Sequence, residues 1–178
     1  HIMQERIRIG PSYNQIGVHV RCGGVLANTP EGATLVSLPI LKRIPNMIVE
    51  IAKRLPPEGV FVFLSTDSNI AFNYLNHTVP YTVKQSSLYQ IGHAEFDPND
   101  SIVKRSLIDI FLMAESPYLI ITSGSGFSMV IREIGNHSIV HSIGAPYNYF
   151  YRNGSMDLDW LQRYLNTERV EKMHRQTV

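Results

Sequence analysis

The chain has 178 residues, 44% hydrophobic and 17% charged, with 16 basic and 15 acidic side chains and a formal net charge of +1. That length and balance fit one folded domain and exclude a disordered chain. The basic residues are spread along the sequence, which leaves no electrostatic case for nucleic acid as the main partner. No apolar run approaches the roughly 18–20 residues needed to cross a bilayer. The one cysteine, Cys22, excludes an internal disulfide. His1-Ile2-Met3 reads as a cloning remnant, so residues 4–178 are expected to form a single domain.

Along the chain, strand-like runs alternate with helical patterns, which predicts βαβ units and a parallel sheet. Ile16 to Arg21 is an apolar, β-branched strand that stops at Gly23-Gly24. A long Gly/Thr/Asn/Pro-rich loop follows through Leu38, and long connectors are often functional. Ile44, Met47, Ile48 and Ile51 predict a helix over Ile40 to Leu55, stopped by Pro56-Pro57. Val60 to Ser65 is a second buried strand, and Thr66-Asp67-Ser68 supplies a cap for a helix through Leu75.

A short strand near Tyr81 to Val83 is followed by a helix from Asp100 and Ser101 to Ala114. Tyr118 to Thr122 is the clearest strand. Ser123-Gly124-Ser125-Gly126 opens a helix stopped near Gly135, then come a strand over Ile139 to Ile143 and an amphipathic helix over Met156 to Leu165. These elements give a Rossmann-like parallel sheet flanked by helices, with ligands expected beyond the carboxyl ends of the strands.

Three segments meet that description. In the Ser123-Gly124-Ser125-Gly126-Phe127-Ser128 turn, glycines allow close backbone approach and the helix N-terminus offers unpaired N–H groups to a phosphate. The alternative is an ordinary strand-to-helix turn with serine caps. His19 and Arg21 share one face of their strand, so both can reach the crevice, where an arginine can neutralise a diphosphate. The alternative there is a core histidine and a rim ion pair. Asp109 lies among Leu107, Ile108, Ile110, Phe111 and Leu112, where a carboxylate needs a partner. It can accept the N1–H and N2–H₂ donor pair of a guanine edge; the alternative is a helix face open to solvent. No metal-ligand spacing, Walker A sequence, dinucleotide fingerprint or hydrolase elbow is present. The aromatic run from Tyr147 to Tyr151 is read as packing.

Together these segments resemble the motifs of the GDP-fucose-dependent fucosyltransferase superfamily (α1,6, α1,2 and protein O-fucosyltransferases). Ile16-Gly17-Val18-His19-Val20-Arg21 resembles the first motif, and Phe61-Val62-Phe63-Leu64-Ser65-Thr66-Asp67 the second. The stretch from Asp109-Ile110 through Tyr118-Leu119-Ile120-Ile121-Thr122 to Ser125 resembles the third, and Glu133-Ile134 extends it. The likeness covers about residues 16 to 144.

It implies the C-terminal, donor-binding half of a GT-B glycosyltransferase, with GDP-fucose as donor, no metal and no cofactor. By that resemblance His19 and Asp109 meet guanine, Arg21 the β-phosphate, and Ser125 a phosphate oxygen. Asp67, Thr122, Ser123 and Gly124 complete the expected donor site. A glycan or protein hydroxyl would attack with inversion, on a second Rossmann-like domain outside this chain.

The sequence departs from the family pattern in three places. Cys22 replaces the second arginine and Gly23-Gly24 the acidic position after it. Ser68 replaces the second aspartate of Thr-Asp-Asp. Glu31 is the nearest candidate for the catalytic base, offset in spacing. A non-catalytic nucleotide-sugar module, or an interaction domain keeping the fold, therefore remain alternatives. Sequons at Asn76, Asn99, Asn136 and Asn153 permit a secretory origin without establishing it. The compartment stays open between the secretory lumen of a eukaryote and a bacterial cytoplasm.

Overall fold

The computed structural model describes residues 2–23, 35–86 and 100–144, with the backbone of 151–152 and 155–156. Its centre is a five-stranded sheet of β1 (Gln15–Val20), β2 (Phe61–Thr66), β3 (Thr82–Lys84), β4 (Tyr118–Thr122) and β5 (Ile139–Ile143). The strand order is β3-β2-β1-β4-β5, and every neighbouring pair is parallel. β1 and β2 are buried at every position, as strands covered on both faces must be.

The two faces divide by strand parity. Ile16, Val18 and Val20 of β1 point into a core with Val62, Leu64 and Ile120. That face is closed by α2 (Leu38–Leu41), α3 (Ile44–Ala52) and α4 (Asn69–Thr78), through Leu41, Ile44, Ile48, Ile51, Ala71 and Leu75. Phe61, Phe63, Leu119 and Ile121 face the other way, against α1 (Ile2–Ile9), α5 (Asp100–Ala114) and α6 (Gly126–Ile134). Gln15, Gly17 and His19 share that second face. A methyl on Gly17 would lie 2.6 Å from Leu119 Cδ2 and 2.7 Å from Ser116 Oγ, so only glycine lets β1 sit this close to its neighbours.

The strands match their expected positions within a residue or two. One helix does not. The run over Ile40 to Leu55 is split into α2 and α3 by a turn at Lys42-Arg43. Pro45 explains the break, because it has no N–H to return to the Leu41 carbonyl and its ring would press on that group. It sits instead in the first turn of α3. Gly135 does end α6, but at φ −93° rather than in the left-handed region. It is small because a side chain there would meet His137 and the Ala114 carbonyl.

α1 has no counterpart in the sequence reading, and it begins at Ile2, inside the segment read as a remnant. Met156 lies in a two-stranded ribbon of β6 (Tyr151–Arg152) and β7 (Ser155–Met156). The rest of the expected last helix falls outside the described residues. Of the four sequons, Asn76 and Asn136 are described, and both are exposed.

Candidate functional site

The strand order reverses at β1, with β2 on one side and β4 on the other, so the carboxyl ends of β1 and β4 flank a topological switch point. Two polar side chains fix the backbone there. The Thr122 hydroxyl accepts the Arg21 N–H at 2.9 Å and donates to the His19 carbonyl at 3.0 Å, joining the end of β4 to the end of β1. The Asp67 carboxylate accepts the Cys22 N–H at 2.8 Å and the Gly23 N–H at 3.1 Å, joining the end of β2 to the same segment. Ser68 occupies the position of the missing second aspartate. It caps α4, its side chain accepting the Ala71 N–H.

His19 is buried, with Nδ1 2.7 Å from Ser128 Oγ and its ring stacked on Phe127 at 4.5 Å between centroids. Burial, aided by the nearby charge of Arg21, pushes its pKa down to about 3, so the ring is neutral at physiological pH. Asp109 is 2% exposed. Its Oδ2 accepts from Ser65 Oγ at 2.8 Å and lies 3.5 Å from Arg105 Nε. Its Oδ1 is buried with no partner among the described residues. Burial raises the Asp109 pKa to about 6, against the opposing pull of Arg105 and the Ser65 hydrogen bond. Cys22 is buried, and its thiol is pushed up to about 12, so it carries no charge.

A cleft of about 420 Å³ opens over these groups, lined by His19, Arg21, Arg105, Asp109, Gly126 and Phe127 among others. That volume lies in the range of small-molecule sites. At its edge the Ser123–Gly126 turn leads into α6. The Ser123 N–H bonds to the Ile143 carbonyl at 2.8 Å, and Gly124 takes the left-handed φ of 75° that a side chain would resist. Ser125 is the N-cap of α6 yet makes no side-chain cap bond, and its Oγ is buried with no partner among the described residues. A methyl on Gly126 would meet nothing within 4 Å, so the first turn of α6 is open. The cleft thus combines a cation, a helix N-terminus with its free amides and a buried acceptor, a set suited to an anion carrying a donor-rich ring.

The structure brings His19, Arg21 and Asp109 together. It uses Asp67 and Thr122 to hold the backbone around Arg21, and it sets Ser123, Gly124 and Ser125 on the turn beside them. Glu31 lies outside the described residues. Sequence reasoning missed Ser65 and Arg105, and it took Phe127 and Ser128 only as part of the turn, not as the partners of His19. Arg105 carried a signal, being four residues before Asp109 and so on the same helix face. Ser128 carried a weaker one, one turn after Ser125. Among the described residues no cluster of His, Cys, Asp or Glu could hold a metal ion. No described helix is long and apolar enough to cross a membrane.

No protein-family model and no curated protein sequence matches the chain. Solved structures do. The NodZ α-1,6-fucosyltransferase co-crystallised with GDP superposes with a TM-score of 0.52 at 25% identity, over 75% of this chain. The same enzyme soaked with GDP-fucose gives the same values. Selenomethionine NodZ from Bradyrhizobium gives 0.51 at 26% identity, again over 75% of this chain. The chain spans about 40% of the length of these relatives. With its five parallel strands in the order β3-β2-β1-β4-β5, the chain is a fucosyltransferase-like α/β domain, similar in fold to the NodZ α-1,6-fucosyltransferase.

Proposed function

We propose that the cleft at the switch point binds the donor of a fucosyl transfer, GDP-fucose, and that the chain is the donor-binding half of an inverting glycosyltransferase. The observation that carries this is Asp109 Oδ1, a buried acceptor with no partner among the described residues, in a cleft it shares with His19 and Arg21. A guanine edge offers N1–H and N2–H₂ donors to such a carboxylate. Arg21 takes the β-phosphate, while Ser125 Oγ and the opening amides of α6 take the neighbouring oxygens.

An acceptor hydroxyl, on a glycan or a protein held by a second Rossmann-like domain, attacks the anomeric carbon. The bond from that carbon to the diphosphate oxygen breaks, the configuration inverts, and the hydroxyl proton passes to a carboxylate base, for which Glu31 is the candidate. The leaving diphosphate is stabilised by charge already in place, with no metal or cofactor taking part. A second reading, nucleotide-sugar binding without catalysis, is favoured by one feature. Cys22, buried and uncharged, stands where the family has its second arginine.

Calorimetric titration with GDP, GDP-fucose, UDP and ADP, without added metal, tests the binding. The expected result is selective binding of the guanine ligands, with Arg21→Ala weakening it by about 1–3 kcal/mol. Equal affinity of Arg21→Ala and wild type would instead point to an interaction domain that merely keeps the fold. Turnover by a longer chain carrying both domains separates catalysis from binding alone.

A further inference from the structure

We propose that Arg105 is a positioning residue of this cleft, which acts with Ser65 to hold Asp109 as a carboxylate whose Oδ1 is turned to the ligand. The inference rests on the donor-binding reading above and concerns how one of its contacts is kept in working form. Arg105 and Asp109 stand one turn apart on α5, and both are buried. Asp109 Oδ2 receives both the Ser65 hydroxyl and the Arg105 guanidinium, which leaves Oδ1 with no partner among the described residues. Arg105 is itself steadied by Gln85, whose Oε1 accepts from Nη2 at 3.0 Å.

The surroundings would otherwise neutralise Asp109. Burial favours the protonated acid, and Glu5 of α1 pushes in the same direction. Arg105 on its own helix and Ser65 on β2 push the other way. His19 on β1 is neutral, and Arg21 and Asp67, at the ends of β1 and β2, line the same cleft. A protonated Asp109 would offer a donor where the ligand needs an acceptor. Arg105 therefore acts through Asp109, and its loss should be felt as a change in the pH at which the cleft works.

The test is GDP titration from pH 5.5 to 8.5 on the wild-type chain, Arg105→Met, Arg105→Lys, Ser65→Ala and Asp109→Asn. The wild type should lose affinity as pH falls through about 6. Arg105→Met should move that midpoint up by about one unit, which gives roughly threefold weaker binding near pH 6.5 and roughly eightfold near pH 5.5, converging on wild type by pH 8.5. Arg105→Lys, which keeps the charge, should retain the wild-type midpoint, and Asp109→Asn should bind weakly without pH dependence.

Uniform weakening of Arg105→Met at every pH would overturn the inference. If Arg105→Met does not fold, Ser65→Ala must shift the midpoint in the same direction, and an unshifted midpoint there is equally fatal. Carboxyl ¹³C NMR of Asp109 gives these midpoints without nucleotide. Those midpoints decide the role of Arg105 even if GDP does not bind, an outcome that would overturn only the donor-binding reading.

Discussion

Asp67 Oδ1 accepts the Cys22 backbone N–H at 2.8 Å, so a carboxylate at the end of β2 shapes the exit of β1. Its second oxygen takes the next amide, that of Gly23. The role is to hold backbone, and it should register as stability before it registers as affinity. Asp67→Ala is expected to cost about 2–3 kcal/mol for two charge-assisted hydrogen bonds. In a chain of this size that lowers Tm by roughly 5–10 °C, and Asp67→Asn should fall between the two. Scanning calorimetry decides it, and a change too small to measure would show that the loop holds its path unaided.

The two shifted titrations act on stability with opposite sign. His19 falls from 6.5 in the unfolded chain to about 3 when folded, so the unfolded state binds the extra proton in that window and acid destabilises. Asp109 rises from 3.8 to about 6, so the folded state binds the extra proton and acid stabilises. Each contributes up to about 1.4 kcal/mol per pH unit, and between roughly pH 4 and 6 they nearly cancel. Urea denaturation should accordingly show little slope from this pair in the wild type. Asp109→Asn should lose stability steadily as pH falls below about 6.5, and His19→Asn should gain it between about pH 6 and 4. Parallel pH profiles for the two variants would refute the assignment.

Ser125 offers a separation of stability from binding. Its hydroxyl is buried with no partner among the described residues and does not cap α6. Removing an unsatisfied polar group costs the empty protein little, so Ser125→Ala should be neutral or up to about 1 kcal/mol more stable. GDP affinity should nevertheless fall several-fold, as expected for one lost hydrogen bond to a phosphate. Unfolding and calorimetric titration on the same sample read both. A destabilised variant with unchanged affinity would make this serine a structural one.

The strand pattern was legible because buried parallel strands are dense apolar runs, and Tyr118–Thr122 and Ile139–Ile143 fell where their β-branched residues put them. The break between α2 and α3 was also written in the chain, in Pro45, but Ile40 and Leu41 of α2 stand at helical spacing from Ile44 of α3 and hide it. In the site, Asp109 was legible as a carboxylate on an apolar helix, and His19 with Arg21 as alternate residues at a strand end. What each hydroxyl bonds to was not. Thr122 reads as a ligand residue in sequence because nothing local says that both its hydrogen-bonding roles are filled by the backbone of β1. Ser65 and Ser128 lie far along the chain from the groups they touch, so only the folded sheet shows them as partners of Asp109 and His19.

The placement of β1 between β2 and β4 also bears on the order in which the molecule folds. The contact from Asp67 to Cys22 closes 45 residues, while those from Thr122 to Arg21 and Ser128 to His19 close 101 and 109. The longer closure adds only ~0.7 kcal/mol of chain entropy, but the Thr122 and Ser128 contacts at the switch point reward the chain only once β4 docks. The cleft is then among the last features to form. Nucleotide added during refolding should leave the refolding rate unchanged and appear wholly as slower unfolding.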